Sequence, residues 1–92
     1  MKKIMDGAIV DTAKGEEITT RTCYNEQGNP LSYNYIVLIA GLYYLHTSGA
    51  GDIFSPADDL ELIGDGASLL SWAQDGFWSS DLDLIQHIES TR

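Results

Sequence analysis

Ser32-Tyr33-Asn34-Tyr35-Ile36-Val37-Leu38-Ile39-Ala40, then Gly41, then Leu42-Tyr43-Tyr44-Leu45-His46-Thr47 is the most regular stretch of the chain. Its β-branched and aromatic residues run unbroken, which is the composition of a strand. Ala40-Gly41 marks a tight reversal, so the second run returns along the first as a hairpin. With a two-residue turn, Tyr33, Tyr35, Val37, Leu42, Tyr44 and His46 share one face, and Ile36, Leu38, Tyr43 and Leu45 share the other. Both faces are apolar. One meets helices; the other is covered by the chain's own ends or offered to a partner. A tyrosine-rich face ringed by acids suits an interface core with a polar rim.

Upstream of the hairpin, Lys3-Ile4-Met5 reads as a short strand turned at Asp6-Gly7, with Ala8-Ile9-Val10 continuing it or pairing with it. Asp11 or Thr12 then caps a short helical turn through Ile18, weakened by Gly15. Thr19 to Tyr24 is β-rich, and Asn25-Glu26-Gln27-Gly28-Asn29-Pro30 reads as a turn. Downstream, Ser48 to Asp52 reads as a flexible loop and Ile53-Phe54 as a short extended piece stopped by Pro56. Leu60 to Ile63 is a last strand, with Leu60 and Leu62 on one face and Glu61 and Ile63 on the other.

The final third is helical. Asp65 can cap a helix from about Gly66 to Asp75, with Leu69, Trp72 and Ala73 at core spacing and Gly76 as its stop. Ser80-Asp81-Leu82-Asp83 resembles a capping box, opening a helix that turns Leu84, Ile85 and Ile88 to the core. The predicted fold is therefore a single acidic α+β domain over residues 1–92. It has a small antiparallel sheet of three to five strands, with two C-terminal helices packed on one face.

Composition narrows function. The chain of 92 residues is 43% hydrophobic, enough for one core and too short for two. The longest apolar run, Tyr35 to Ala40, is far below the roughly 20 residues of a membrane span. An acid and a glycine interrupt the opening residues before any apolar stretch, which predicts no signal peptide and a cytoplasmic protein. Fourteen acids against five bases give a net charge of −9. The bases are Lys2, Lys3, Lys14, Arg21 and Arg92, so the 70 residues from Thr22 to Thr91 hold ten acids and no lysine or arginine. Solubility is ordinarily met by mixing both signs. A field this unopposed disfavours direct binding to nucleic acid or an anionic membrane and predicts a basic partner.

Patterns that would carry chemistry do not close. The loop His46-Thr47-Ser48-Gly49-Ala50-Gly51-Asp52 is glycine-rich but leads to Asp52 and Pro56, not to a helix N-terminus with a lysine, as a phosphate site requires. His46 and Ser48 would point to one side of a strand, but no carboxylate or oxyanion donor is identifiable beside them. His87 reads as a solvated helix residue. Asp58, Asp59, Glu61 and Asp65 lack the alternating-acid, glycine-centred calcium loop. Cys23 is the only cysteine and reads as a small core residue, with no disulfide or cysteine metal cluster open to it. No cofactor, no metal and no catalytic residue is expected.

Three segments resemble a family pattern. Met5-Asp6-Gly7-Ala8-Ile9-Val10-Asp11-Thr12-Ala13 is similar to an opening shared by many small proteins of phages and mobile elements. Leu42 to Gly51 resembles their aromatic strand followed by a histidine and a glycine-rich loop. Leu60 to Ala73, ending in Trp72-Ala73, resembles their closing strand and helix. Val10 stands where the pattern has tyrosine, Gly64 where it has proline, and Asp65 where it has serine or threonine; residues from Phe77 onward extend beyond it. The resemblance implies a small acidic phage or mobile-element α+β protein, of the kind that includes anti-CRISPR proteins, and brings no catalytic residues. Together with the charge, it predicts a non-enzymatic inhibitor that mimics nucleic acid and occupies a basic surface of a bacterial CRISPR or other nucleic-acid-handling complex, as monomer or homodimer. Asp58, Asp59, Glu61, Asp81 and Asp83 are the candidate contact acids, with Trp78 and Tyr33 as aromatic anchors. An antitoxin or accessory protein of a mobile-element operon, binding one basic protein, is the alternative.

Overall fold

The reversal at residues 40–41 joins the two central strands of the sheet at one end. In the computed structural model, which describes residues 1–91, Ala40 and Gly41 both take positive φ, 50° and 82°. That backbone matches the right-handed twist of the flanking strands. Asp6 and Gly7 repeat it at 50° and 77°, so the N-terminal residues also form a tight hairpin. Arg92, counted among the five bases, lies outside the described residues.

The strands are β1 (Lys2–Met5), β2 (Ala8–Asp11), β3 (Glu16–Tyr24), β4 (Pro30–Ile39), β5 (Leu42–Gly49) and β6 (Asp59–Gly64); helices α1 (Gly66–Ala73) and α2 (Leu82–Ser90) follow. β3 to β6 make a four-stranded antiparallel meander in chain order, and β1 and β2 pair separately. The α+β architecture expected from sequence is the one observed. Tyr35 lies opposite His46, Val37 opposite Tyr44, and Leu38 opposite Tyr43, so the two faces divide as the two-residue turn requires.

On the first face, Ile36 and Tyr43 meet Leu69 and Ala73 of α1 and Leu84 of α2, with Trp78 between the helices. α1 lies over β5 and β6, and α2 lies against β3. Each large aliphatic side chain sealed here contributes about 1.5–3 kcal/mol relative to exposure. A β-bulge after Glu17 turns two consecutive residues of β3 toward this layer. Ile18 packs on the core, and the buried Thr19 donates to Asp81 at 2.8 Å. On the second face, Val10 of the N-terminal hairpin closes over Tyr44 and Leu60, with Met5 and Ile39 beside them.

Several local expectations are corrected. The helical turn predicted through Ile18 stops at Lys14: Thr12–Lys14 is one 3-10 turn capped by Asp11, and β3 begins at Glu16. Gly15 is there for space, since a Cβ would come within 2.6 Å of both Val37 and Ile39. Ser48 and Gly49 belong to β5, while Ile53-Phe54 is a turn, not an extended piece. The cap of α2 is Asp81, which accepts from Leu84 N at 3.0 Å, not Ser80. Ile85 is 36% exposed, and Trp72 is half-buried at the core edge. His87 is not simply solvated: its Nε2 and the Tyr43 hydroxyl are hydrogen-bonded at 2.6 Å, tying α2 to β5.

Candidate functional site

The second face of the sheet is only half covered. The N-terminal hairpin closes over Tyr44 and Leu60, leaving Tyr33, Tyr35 and His46 half-buried farther along β4 and β5. There an open cleft of about 340 Å³ is lined by Thr12, Gly15, Glu17, Tyr35, Val37, His46 and Ser48. The rings of Tyr35 and His46 lie 5.5 Å apart at 35°. Burial holds the His46 imidazole below its ordinary pKa, and the N-terminal ammonium adds to this while Asp58 opposes it. His46 and Ser48 are two residues apart on one strand, so their Cα atoms lie roughly 6–7 Å apart. No hydrogen bond joins them among the described residues. What the cleft offers is an aromatic and hydroxyl-bearing surface that also carries the Glu17 carboxylate.

The candidate acids divide between the two edges of the sheet. Asp58, Asp59 and Glu61 lie at the β6 edge, whereas Asp81 and Asp83 sit at the start of α2, against β3. Three strand spacings, about 14 Å, separate these edges, so the acids do not form one cluster. Asp58 accepts from Gly49 N at 3.0 Å and closes the β5–β6 connection. Asp59 pairs with Lys3 at 2.8 Å, and Lys3 also reaches the Leu60 carbonyl at 3.0 Å. The Lys3 hydrogen bond, with a backbone hydrogen bond at Leu60, holds the Asp59 carboxyl below its usual range. Glu61 is exposed opposite Leu45, and Asp83 is exposed in the first turn of α2. Asp81 is half-buried and occupied by Thr19 and Leu84.

The two proposed aromatic anchors part company. Tyr33 lies on the half-covered face, opposite Thr22 and Ser48. Trp78 is 6% exposed and belongs to the core beside Trp72, so its ring is not available as an exposed anchor. The ring at the surface is its neighbour Phe77, with the Arg21 guanidinium 4.7 Å over it. Arg21 also donates to the Phe77 carbonyl. Spacing alone could not separate Phe77 from Trp78, because a 3-10 turn, Phe77–Ser80, decides which ring points inward.

Sequence reasoning missed the residues that hold the loop end of the sheet. Asn25 accepts from Gln27 N and Asn29 N at 3.0 and 2.9 Å and donates to Asp52 at 3.1 Å, linking the two loops there. The Asn25-x-x-Gly28 turn pattern is a signal for the first half of this arrangement; nothing local signals the second. No group of three or more His, Cys, Asp or Glu side chains among the described residues could hold a metal ion. No helix among them is long and apolar enough to cross a membrane. Compared with family models, curated proteins and solved structures, the chain matches none.

Proposed function

We propose that this chain is a non-enzymatic inhibitor of the anti-CRISPR kind, encoded by a phage or mobile element. It acts in the cytoplasm of a bacterial host by occupying a basic nucleic-acid-binding surface of a defence complex. The observation that carries this reading is the charge distribution: ten acids and no lysine or arginine from Thr22 to Thr91. Two of the remaining bases are already engaged within the molecule, Lys3 with Asp59 and Arg21 with Phe77. The acids flank the sheet on both edges, so a partner meets a broad negative field and not a point contact. Complementary charge of this kind speeds encounter and selects against nucleic acid itself.

The test uses purified CRISPR effector complexes and a fluorescent DNA target. Adding the protein should lower the anisotropy of DNA bound to at least one complex, in a stoichiometric and saturable way. The protein alone should leave free DNA unchanged and uncut. Binding of the protein to DNA, or indifference of every complex tested, contradicts the proposal.

A further inference from the structure

At the end of the sheet opposite the Ala40-Gly41 turn, three large apolar side chains stand in water. Ile53 is 90% exposed, Phe54 80% and Tyr24 62%. Tyr24, Leu31 and Phe54 line a hollow of about 480 Å³ together with Asn25, Glu26 and Gln27, and Ile53 precedes Phe54 in the chain. Single exposed apolar residues are ordinary, but a contiguous group around a concavity marks an interaction site. Tyr24 stands at the end of β3, and the loop that carries Ile53 and Phe54 is tied in place. Asp52 accepts from Phe54 N at 2.9 Å, and the Ser55 hydroxyl accepts from Asp52 N at 3.1 Å and donates to the Leu31 carbonyl at 2.6 Å. The Asn25 amide holds Asp52 from the facing loop. Gly49 lets this loop lie close, since a Cβ there would come within 2.5 Å of the Pro56 carbonyl oxygen. Apolar side chains presented by a fixed backbone need little ordering on binding, which is the property of an anchor site.

We infer that this loop end, built on Tyr24, Leu31, Ile53 and Phe54, docks a cationic protein segment that inserts one aromatic or large aliphatic side chain into the hollow. Charge complementarity selects that occupant. Glu26 lines the hollow, Asp52 and Asp58 belong to the loop that carries Phe54, and neither loop contains a lysine or arginine. A second copy docked through the same patch would set these acids against their own equivalents across a two-fold axis. An anionic bilayer would be repelled. The inference rests on the acidic-inhibitor proposal only for the sign of the partner's charge, and it adds the apolar anchor which that proposal lacks.

The experiment is an amide-shift NMR titration of the whole isotope-labelled chain with the capped peptide Arg-Gly-Trp-Gly-Arg at up to millimolar concentration. Shifts should concentrate at residues 24–31 and 52–55. Replacing the peptide's tryptophan by alanine, or its arginines by glutamine, should weaken binding about tenfold or more. Phe54→Ser should do the same with an unchanged melting temperature, whereas Ile9→Ser, at an exposed site on the N-terminal hairpin, should have no effect. No binding, or tryptophan-independent shifts spread over the acids of β6 and α2, overturns the docking site; the second result leaves the electrostatic proposal standing. Patch binding that ignores the arginines overturns the cationic partner. So do patch shifts produced by phosphatidylcholine vesicles or by raising the protein's own concentration, which identify a bilayer or a second copy as the occupant.

Discussion

The face of the sheet under α1 and α2 is sealed by Ile36, Leu69 and Leu84. The opposite face is sealed where Val10 reaches Tyr44 and Leu60 and where Gly15 lies against Val37, and farther along it Tyr35 and His46 line an open cleft. Both faces draw on similar aliphatic and aromatic residues, so hydrophobicity alone does not separate them. The difference lies in the covering element. Two amphipathic helices bury a broad area, whereas four-residue strands with Ile4 and Ile9 turned outward bury little more than one side chain's depth. The helix face carries stability; the other face and the loop end leave aromatic and aliphatic side chains uncovered.

If that division holds, Trp78→Ala should be the most damaging of the following changes. Loss of this buried ring should cost about 3–5 kcal/mol in urea unfolding, a large part of the roughly 5–15 kcal/mol that holds a small domain. A cost below 1 kcal/mol would mean that Trp78 is at the surface and would blur the contrast between the faces. On the hairpin side, Gly15→Ala should cost about 1–3 kcal/mol by overpacking, because the added methyl meets Val37 and Ile39. Calorimetry of this variant would show how firmly the 3-10 turn seats on the second face. Asp81→Ala removes the α2 cap and the partner of buried Thr19, for about 1–2 kcal/mol. Its unfolding midpoint in urea should fall while far-ultraviolet circular dichroism below the transition keeps both strand and helix signal.

The smallest effect is a pH dependence. The folded state holds His46 below its ordinary pKa of 6.5, chiefly by burial. The unfolded chain therefore binds more protons between the folded value and 6.5. Stability from this group is complete above about pH 6.5 and declines as pH falls toward the folded value. His46→Gln should flatten the melting-temperature profile in that window; an unaltered slope would place the imidazole in open water.

Most of the fold was readable because its signals are local. The hairpin of β4 and β5 declares itself through unbroken β-formers around Ala40-Gly41, and α1 through Asp65 and the spacing of Leu69 and Ala73. The second cap failed because Ser80 and Asp81 are both good capping residues, and the choice depends on Thr19, 62 residues away from Asp81. In sequence Gly15 reads as a weak helix residue, because its reason for being glycine, the approach to β4, exists only in three dimensions. Much the same holds for the contact residues. Exposed acids can be counted in a sequence, but engagement of Asp59 by Lys3 and burial of Trp78 beside exposed Phe77 are products of packing.

The central claim is that the negative field carries the encounter with a basic partner, and the association rate tests it most directly. The rate should be measured by surface plasmon resonance, at 50 and 300 mM salt, against an effector complex whose DNA-bound anisotropy falls when the protein is added. It should fall severalfold or more across that range, since screening shortens the reach of exposed charges from roughly 14 to 6 Å. It should also fall in a Glu61→Lys and Asp83→Lys double variant, which spares the acids that hold the fold. An association rate unchanged by salt and by both reversals would contradict the account and leave the acids with solubility alone.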